Sequence, residues 1–308
     1  MKDGDIIDII TDEGYNKQWI EIVKGLPEIS VLKNSLAELM STDKTAMTSE
    51  ELKDFFYKNA YLFTNNARPL NPIGINKQSF WRVRCNIQES ENTEIQETYS
   101  YPKICNLNGR ANIKGSPVFY CAFDKTTAIF ESKPKVNDII YLSEWGSLFV
   151  NPVNVSFLLS DKISSKSPFY QVALDHLQGM KDMAMRYGID KGTQLEMISI
   201  FISNAFIQET FPYSLTSWLA NDMLYNSGKI DMIIYPSIAR ILHSCNIAIN
   251  PTVVDAYLRL KKVYKIQVTQ SDSKKKSLEV LCVGDFIDNN VVWRELSDND
   301  KHILDQTV

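Results

Sequence analysis

The stretch Ser116–Ser132, SPVFYCAFDKTTAIFES, sets the fold class, because a short apolar and aromatic run passes directly into a segment built for a helix. Its first half has the composition of a buried strand. In its second half Asp124 or Thr126 is placed to cap a short helix whose last turn presents Glu131. Upstream, Phe80–Ile87 (FWRVRCNI) alternates large apolar and polar residues as a half-buried strand does. Further strands are expected in 138–145 (DIIYLSEW), 154–159 (NVSFLL), 231–237 (DMIIYPS) and 246–251 (NIAINP). Residues 263–286 read as a hairpin, with two alternating strands around a polar loop. Residues 168–188 and 193–225 carry helical periodicity, the second broken at Pro212, where a proline removes a backbone donor. Strands and helices mixed along the chain in this way predict an α+β fold.

Residues 1–67 differ in kind. Three segments, 15–26, 29–40 and 50–63, place apolar residues three and four apart, and Thr48 or Ser49 can cap the third with Glu50 and Glu51 in its first turn. This predicts a helical N-terminal region. Residues 68–79 (RPLNPIGINKQS) hold two prolines, a glycine and two asparagines, which predicts a loop and the domain boundary. The second domain is expected over 79–308.

Composition narrows the functions. The 308 residues are 44% hydrophobic, enough for a large core, and 33 Lys plus Arg balance 37 Asp plus Glu for a net charge of −4. A slightly acidic chain lacks the basic excess that draws proteins onto nucleic acid or anionic lipid, so neither nucleic acid nor membrane is an expected partner. The N-terminal stretch offers no cationic n-region or uninterrupted apolar run, and no run of about 18 apolar residues occurs, so a cytoplasmic location is expected. Five cysteines without C-x-x-C spacing read as reduced thiols rather than disulfides or a zinc ribbon. Three histidines, scattered with different flanks, give little material for a metal centre or a Ser-His-Asp hydrolase, so chemistry without metal or cofactor is expected.

Four places concentrate polar side chains where strand ends and turns expose them. On a strand, Arg82 and Arg84 share one face opposite Trp81 and Val83, and that face can line a cleft or merely form a rim ion pair. The loop Asn108–Pro117 (NGRANIKGSP) carries Arg110, Asn112 and Lys114 between two glycines. Its backbone N–H groups and guanidinium suit a diphosphate, while the ordinary alternative is a glycine-bearing turn. Its spacing is neither a Walker nor a Rossmann fingerprint. Glu131 follows the apolar Ala128–Phe130 and is held near the interior, where a carboxylate can stabilise a developing cation. Ser237 sits in a turn beyond a buried strand, as a turn or cap serine or as a site residue.

Together these pieces resemble the RES-domain family, named for its arginine, glutamate and serine. F-W-R-V resembles the opening strand with Arg82 at the arginine position, and G-R-A-N-I-K-G-S-P-V-F-Y-C-A-F the glycine-arginine-x-asparagine loop and following strand, with Tyr120 at its tyrosine. T-T-A-I-F-E resembles the helix that closes on the glutamate, Glu131, and I-Y-P-S followed by C-N-I-A-I-N-P the late segment that carries the serine, Ser237. The match spans roughly 79–260, and the interval from Glu131 to Ser237 is longer than in compact members. The resemblance implies an ADP-ribosyltransferase-like RES fold that takes NAD+ as substrate and cleaves its nicotinamide–ribose bond by phosphorolysis or hydrolysis. It also implies a toxin restrained by a cognate antitoxin or inhibitor protein. The implied roles place Arg82 and Arg110 on the phosphates, Tyr120 against nicotinamide or ribose, Glu131 at the ribose and oxocarbenium, and Ser237 on the nicotinamide ribose, with Asn112 and Asn246 as lesser contacts. Inorganic phosphate is an expected co-substrate. Protein ADP-ribosylation and a catalytically silent binding module, with residues 1–67 forming an oligomer or partner surface, are the alternatives.

Overall fold

A computed structural model describes residues 13–64, 67–88, 90–227, 229–271, 276–298 and 300. By contact the chain divides into two units. One takes in the described residues up to Thr64 together with Leu174–Ile202, and the other holds the described residues of 65–173 and from Ser203 onward. Part of the helical segment assigned from sequence to the second domain is therefore counted with the first.

In the first unit, α1 (Glu13–Lys24), α2 (Ile29–Ser41) and α3 (Ser49–Ala60) correspond to the three periodic segments. Thr48 caps α3 through a reciprocal pair, accepting from the Glu51 N–H at 3.3 Å while the Glu51 carboxylate accepts from the Thr48 N–H at 2.8 Å. Leu32, Leu36, Leu39, Leu52 and Phe56 are buried at the spacing that the sequence displays.

The second unit is built on one mixed sheet. Ala67–Leu70 forms a strand, β1, and Pro72–Ile75 a short helix, α4, within the segment expected to be loop. Pairing of β1 with a later strand overrides its proline, which an edge strand tolerates. Along the chain follow β2 (Phe80–Cys85), β3 (Phe119–Ala122), α5 (Lys125–Glu131), β4 (Ile139–Ser147), β5 (Val153–Phe157), α6 (Tyr170–Arg186) and α7 (Gly192–Gln208), both lying largely in the first unit, then α8 (Ser214–Asn221), β6 (Met232–Pro236), β7 (Cys245–Ile249), α9 (Pro251–Tyr257), β8 (Leu258–Ser271), β9 (Lys276–Ile287) and β10 (Asn290–Arg294). The expected hairpin is thus longer than 263–286 and continues into a third strand, while its connecting residues 272–275 lie outside the described residues.

Sheet order is β1-β5-β6-β7-β3-β2-β4-β8-β9-β10. Only β5 and β6 pair parallel, with helices α6 to α8 in the connection between them. The chain is accordingly mixed α+β, with ten strands in one sheet and nine helices among the described residues. Side chains alternate between two cores as a pleat requires: Tyr141 joins Phe80, Phe119 and Val263, while Ile140 and Leu142 join Trp81, Ile129 and Tyr264.

Candidate functional site

Four neighbouring strands, β6, β7, β3 and β2, occupy the middle of the sheet. Strands β2 and β3 pair only at Trp81–Ala122. Beyond that point they part, and the gap is bridged by a side chain: the Arg82 Nη1 donates to the Tyr120 carbonyl at 2.9 Å. Its Nε donates to the Ser100 carbonyl at 3.1 Å, and the guanidinium lies 5.3 Å from the Phe119 ring centre. Burial pulls the Arg82 pKa down to about 10, which still leaves a full positive charge at neutral pH.

A cavity of about 480 Å³ opens here, bordered by Arg82, Arg110, Tyr120, Glu131, Tyr213 and Asn246. That volume lies in the range of roughly 300 to 1,000 Å³ typical of ligand clefts. Trp81 and Val83, expected on the face away from the cleft, border it too. The parting of β2 from β3 lets the cavity reach round the strand instead of resting on one pleat. Arg84 does not border it, being committed to Glu91 at 2.8 Å and to the Thr98 carbonyl. Of the two candidate arginines, Arg82 is therefore the one at the cavity.

Glu131 enters from the last turn of α5. Asp124 caps that helix, accepting from the Thr127 N–H and hydroxyl, each at 2.7 Å. Both ends of α5 are fastened to a single turn, Ser237–Ser244, which is closed by the Ser237 N–H donating to the Ser244 carbonyl at 2.9 Å. The Ser244 hydroxyl donates to Asp124 at 2.7 Å, and the Ser237 hydroxyl donates to the Glu131 Oε1 at 2.5 Å. From β7, the Asn246 Nδ2 donates to the same oxygen at 2.8 Å. Two donors thus fix Oε1, and Oε2 has no hydrogen-bond partner among the described residues.

The three residues read from sequence as an arginine, glutamate and serine set do meet, but in unequal roles. Arg82 and Glu131 border the cavity. Ser237 is fully buried and absent from the wall, with its hydroxyl shared between Glu131 and the Arg240 N–H at 3.2 Å. Through its bond to Glu131 it positions the carboxylate from behind the cavity wall. Asn246 reaches the same carboxylate from the wall itself.

The loop before β3 is an internal brace. Asn112 is buried and outside the cavity wall, its Nδ2 donating to the Ile113 carbonyl at 3.0 Å and its Oδ1 accepting from the Tyr120 hydroxyl at 2.9 Å. It holds the loop from within, away from the cavity wall. The Tyr120 hydroxyl also accepts from the Ala111 N–H at 2.8 Å, and burial pushes its pKa up, so it remains a neutral phenol. Gly109 is required at this crossing, because a Cβ there would lie 2.4 Å from the Asn112 Oδ1 and 2.6 Å from the Tyr120 hydroxyl. The Arg110 Nη1 donates to the Phe206 and Glu209 carbonyls at 2.7 and 3.1 Å, satisfying carbonyls at the end of α7. Its guanidinium stacks 4.6 Å from the Tyr213 ring centre. The Glu209 carboxylate accepts from the Leu215 and Thr216 N–H groups, both at 2.8 Å, which secures the segment carrying Tyr213.

Tyr213 and Tyr235 border the cavity without having been singled out in the sequence. Tyr213 follows the proline that marks the helix break, and that break was the available signal. The resulting site is a carboxylate oxygen without a partner, facing an aromatic-walled cavity that also holds two guanidinium groups. Such a set can bind an anion at one end and stabilise a developing cation at the other. No group of three or more metal-ligating side chains occurs among the described residues. No protein-family model matches the chain, and no curated protein matches it.

Proposed function

We propose that this chain is an NAD+-consuming enzyme of the ADP-ribosyltransferase-like, RES-domain kind, which cleaves the bond between nicotinamide and ribose. The observation that carries the reading is the arrangement at Glu131: one carboxylate oxygen held by Ser237 and Asn246 and the other without a partner, in a cavity that also contains Arg82 and Arg110. The chemistry asks for this set. Nicotinamide is already a pyridinium, so the C1′–N bond breaks with its electron pair passing to the ring nitrogen, and no general acid is needed. Positive charge then grows on the ribose C1′ and its ring oxygen. A fixed carboxylate beside the ribose stabilises that charge more in the transition state than in the ground state, which is the condition for catalysis. The guanidinium groups of Arg82 and Arg110 balance the diphosphate, and Tyr120, Tyr213 and Trp81 offer ring faces to the nicotinamide and ribose. The acceptor attacks C1′ and gives up a proton to solvent, producing ADP-ribose from water or ADP-ribose 1″-phosphate from inorganic phosphate. Toxicity and a cognate inhibitor protein belong to the same reading.

The test is nicotinamide release from NAD+ by wild type and by Glu131→Gln, with circular dichroism to verify folding. A loss of about 100-fold, or about 2.7 kcal/mol of transition-state stabilisation, is expected. Intact NAD+ at high protein concentration, or unchanged turnover in Glu131→Gln, overturns the proposal. Repeating the assay with and without phosphate separates phosphorolysis from hydrolysis, and radiolabel retained on protein would identify transfer instead.

A further inference from the structure

Tyr120, Tyr213 and Tyr235 all border the candidate site, and their hydroxyls differ in what they meet. Tyr120 commits its hydroxyl inside the chain, to the Ala111 N–H and the Asn112 Oδ1, and Tyr213 is partly exposed. Tyr235, on β6, is only 3% exposed. Its ring packs against that of Phe206, 5.4 Å between centres, and its hydroxyl has no hydrogen-bond partner among the described residues. In register Tyr235 pairs with Asn246, Asn246 with Ala122, and Ala122 with Trp81, so one row of side chains crosses β6, β7, β3 and β2 on a single face. Asn246 is the member of that row that donates to the Glu131 Oε1, which brings the neighbouring phenol to the same carboxylate. Burial pushes the Tyr235 pKa well above the ordinary phenol value, and the nearby Tyr120 and Glu131 push it the same way. At neutral pH it is an uncharged group with one proton to donate.

A buried hydroxyl without a partner destabilises a fold relative to a phenylalanine of the same shape. This one shares its cavity with the Glu131 Oε2, an acceptor that is likewise without a partner. A donor and an acceptor that do not bond each other match a ligand hydroxyl, which gives its proton to the carboxylate and accepts one from the phenol. A phosphate oxygen would answer the phenol and oppose the carboxylate, and an ammonium would do the reverse. The amide of nicotinamide offers both a donor and an acceptor, but a carboxylate that stabilises charge on C1′ has to lie at the ribose.

We infer that Tyr235 is a substrate-contacting residue of this site, whose phenol donates to the ribose hydroxyl next to C1′ while that hydroxyl donates to the Glu131 Oε2. This contact rests on the proposed reading of the Glu131 cavity as an NAD+ site. With a lone pair taken by Tyr235, the hydroxyl has its proton directed at the carboxylate, so Tyr235 aims the ligand as Ser237 and Asn246 aim the glutamate. It also makes the site selective for ribose over 2-deoxyribose, because a sugar without that hydroxyl leaves both protein groups unpaired.

Three measurements on the full chain test it, with Tyr235→Phe removing the hydroxyl alone. Thermal unfolding of the variant should match or exceed wild type. A lowered midpoint would mean that the hydroxyl is bonded within the protein, and overturns the contact. In nicotinamide release, Tyr235→Phe should lose about tenfold in kcat/KM with NAD+. With the analogue of NAD+ that has 2-deoxyribose on its nicotinamide side, wild type and variant should agree within about twofold, since the partner of the phenol is already gone. No loss with NAD+, or an equal loss with both substrates, as bonding to the amide or the diphosphate would give, rules the contact out. Calorimetric titration with ADP-ribose and with ADP reads it without turnover. Wild type should bind ADP-ribose more tightly than ADP, and Tyr235→Phe should lose that margin while keeping its affinity for ADP. That result with NAD+ left intact keeps the contact and fails the cleavage reading alone. A margin that is absent in wild type, or that survives Tyr235→Phe, sinks the contact even if NAD+ is consumed.

Discussion

Glu131 is held by two side chains that differ in what they can touch, and this difference is measurable. Ser237 is buried behind the carboxylate, while Asn246 stands in the cavity wall. Ser237→Ala should therefore lower kcat for nicotinamide release about tenfold, the worth of one hydrogen bond to a charged group, with KM nearly unchanged. Asn246→Ala should change both constants. Because the two donors share one oxygen, the double variant should depart from additivity, and strict additivity in kcat would argue that the donors act independently. At this scale the sequence was partly legible. Arg82, Glu131 and Ser237 came from their motif context, but nothing in F-W-R-V-R separates Arg82 from Arg84. That choice is made by Glu91, seven residues along, which occupies Arg84. The place of Asn112 was illegible for a related reason: a polar loop residue looks the same in sequence whether it meets a ligand or the carbonyls of its own loop.

Among the strands, those missed from sequence are the ones at the margins. β1 and β10 are the two ends of the sheet, four and five residues long. Edge strands bury little, so their alternation is weak, and the proline in β1 masks the rest. The helices of the first unit and the central strands were legible because their faces are buried and the buried spacing is written in the residue types. β10 is secured by charge as well as by pairing. The Arg294 Nε donates to Asp285 at 2.5 Å and its Nη1 to Asp300 at 2.6 Å, and the Ser297 hydroxyl and N–H also bind Asp300. Hydrogen bonds from Arg294 hold the Asp300 carboxyl well below its usual pKa. A carboxyl depressed in the folded state adds stability above its unfolded pKa, near ~4, and that stability disappears as pH falls below it. Asp300→Asn should cost about 1 to 2 kcal/mol at pH 7, a figure discounted because Arg294 is partly exposed, and the gap from wild type should close in urea melts as pH drops from about 4 to 2. A gap that stays constant over that range would rule out the carboxylate as its source.

For the whole molecule, periodicity announces helices but not their company, which explains why 174–202 was assigned to one domain from sequence and is counted with the other by contact. Strand order is equally silent in sequence, since it depends on long-range pairings that leave no local mark. The cysteines offer a global check. All five are free thiols, and burial raises the pKa of Cys121 and Cys245 strongly and of Cys85 and Cys282 to a lesser degree. Because the thiolate is the reactive form, a disulfide reagent at pH 8 should titrate at most three groups rapidly in the native protein and five in denaturant. Fast reaction of all five without denaturant would mean that the central strands open readily.

The placement of Ser237 directly after β6 and of Asn246 on β7, more than a hundred residues after Glu131, carries a consequence for how the protein is made. A growing chain that has emerged only as far as α5 owns the carboxylate but neither of the groups that aim it. On the proposed reading, chemistry would switch on only when synthesis has passed Asn246 and β7 has slotted between β6 and β3. Under the proposed function, unfinished copies would lack the aimed carboxylate, and the interval before completion would be time in which the proposed inhibitor could assemble.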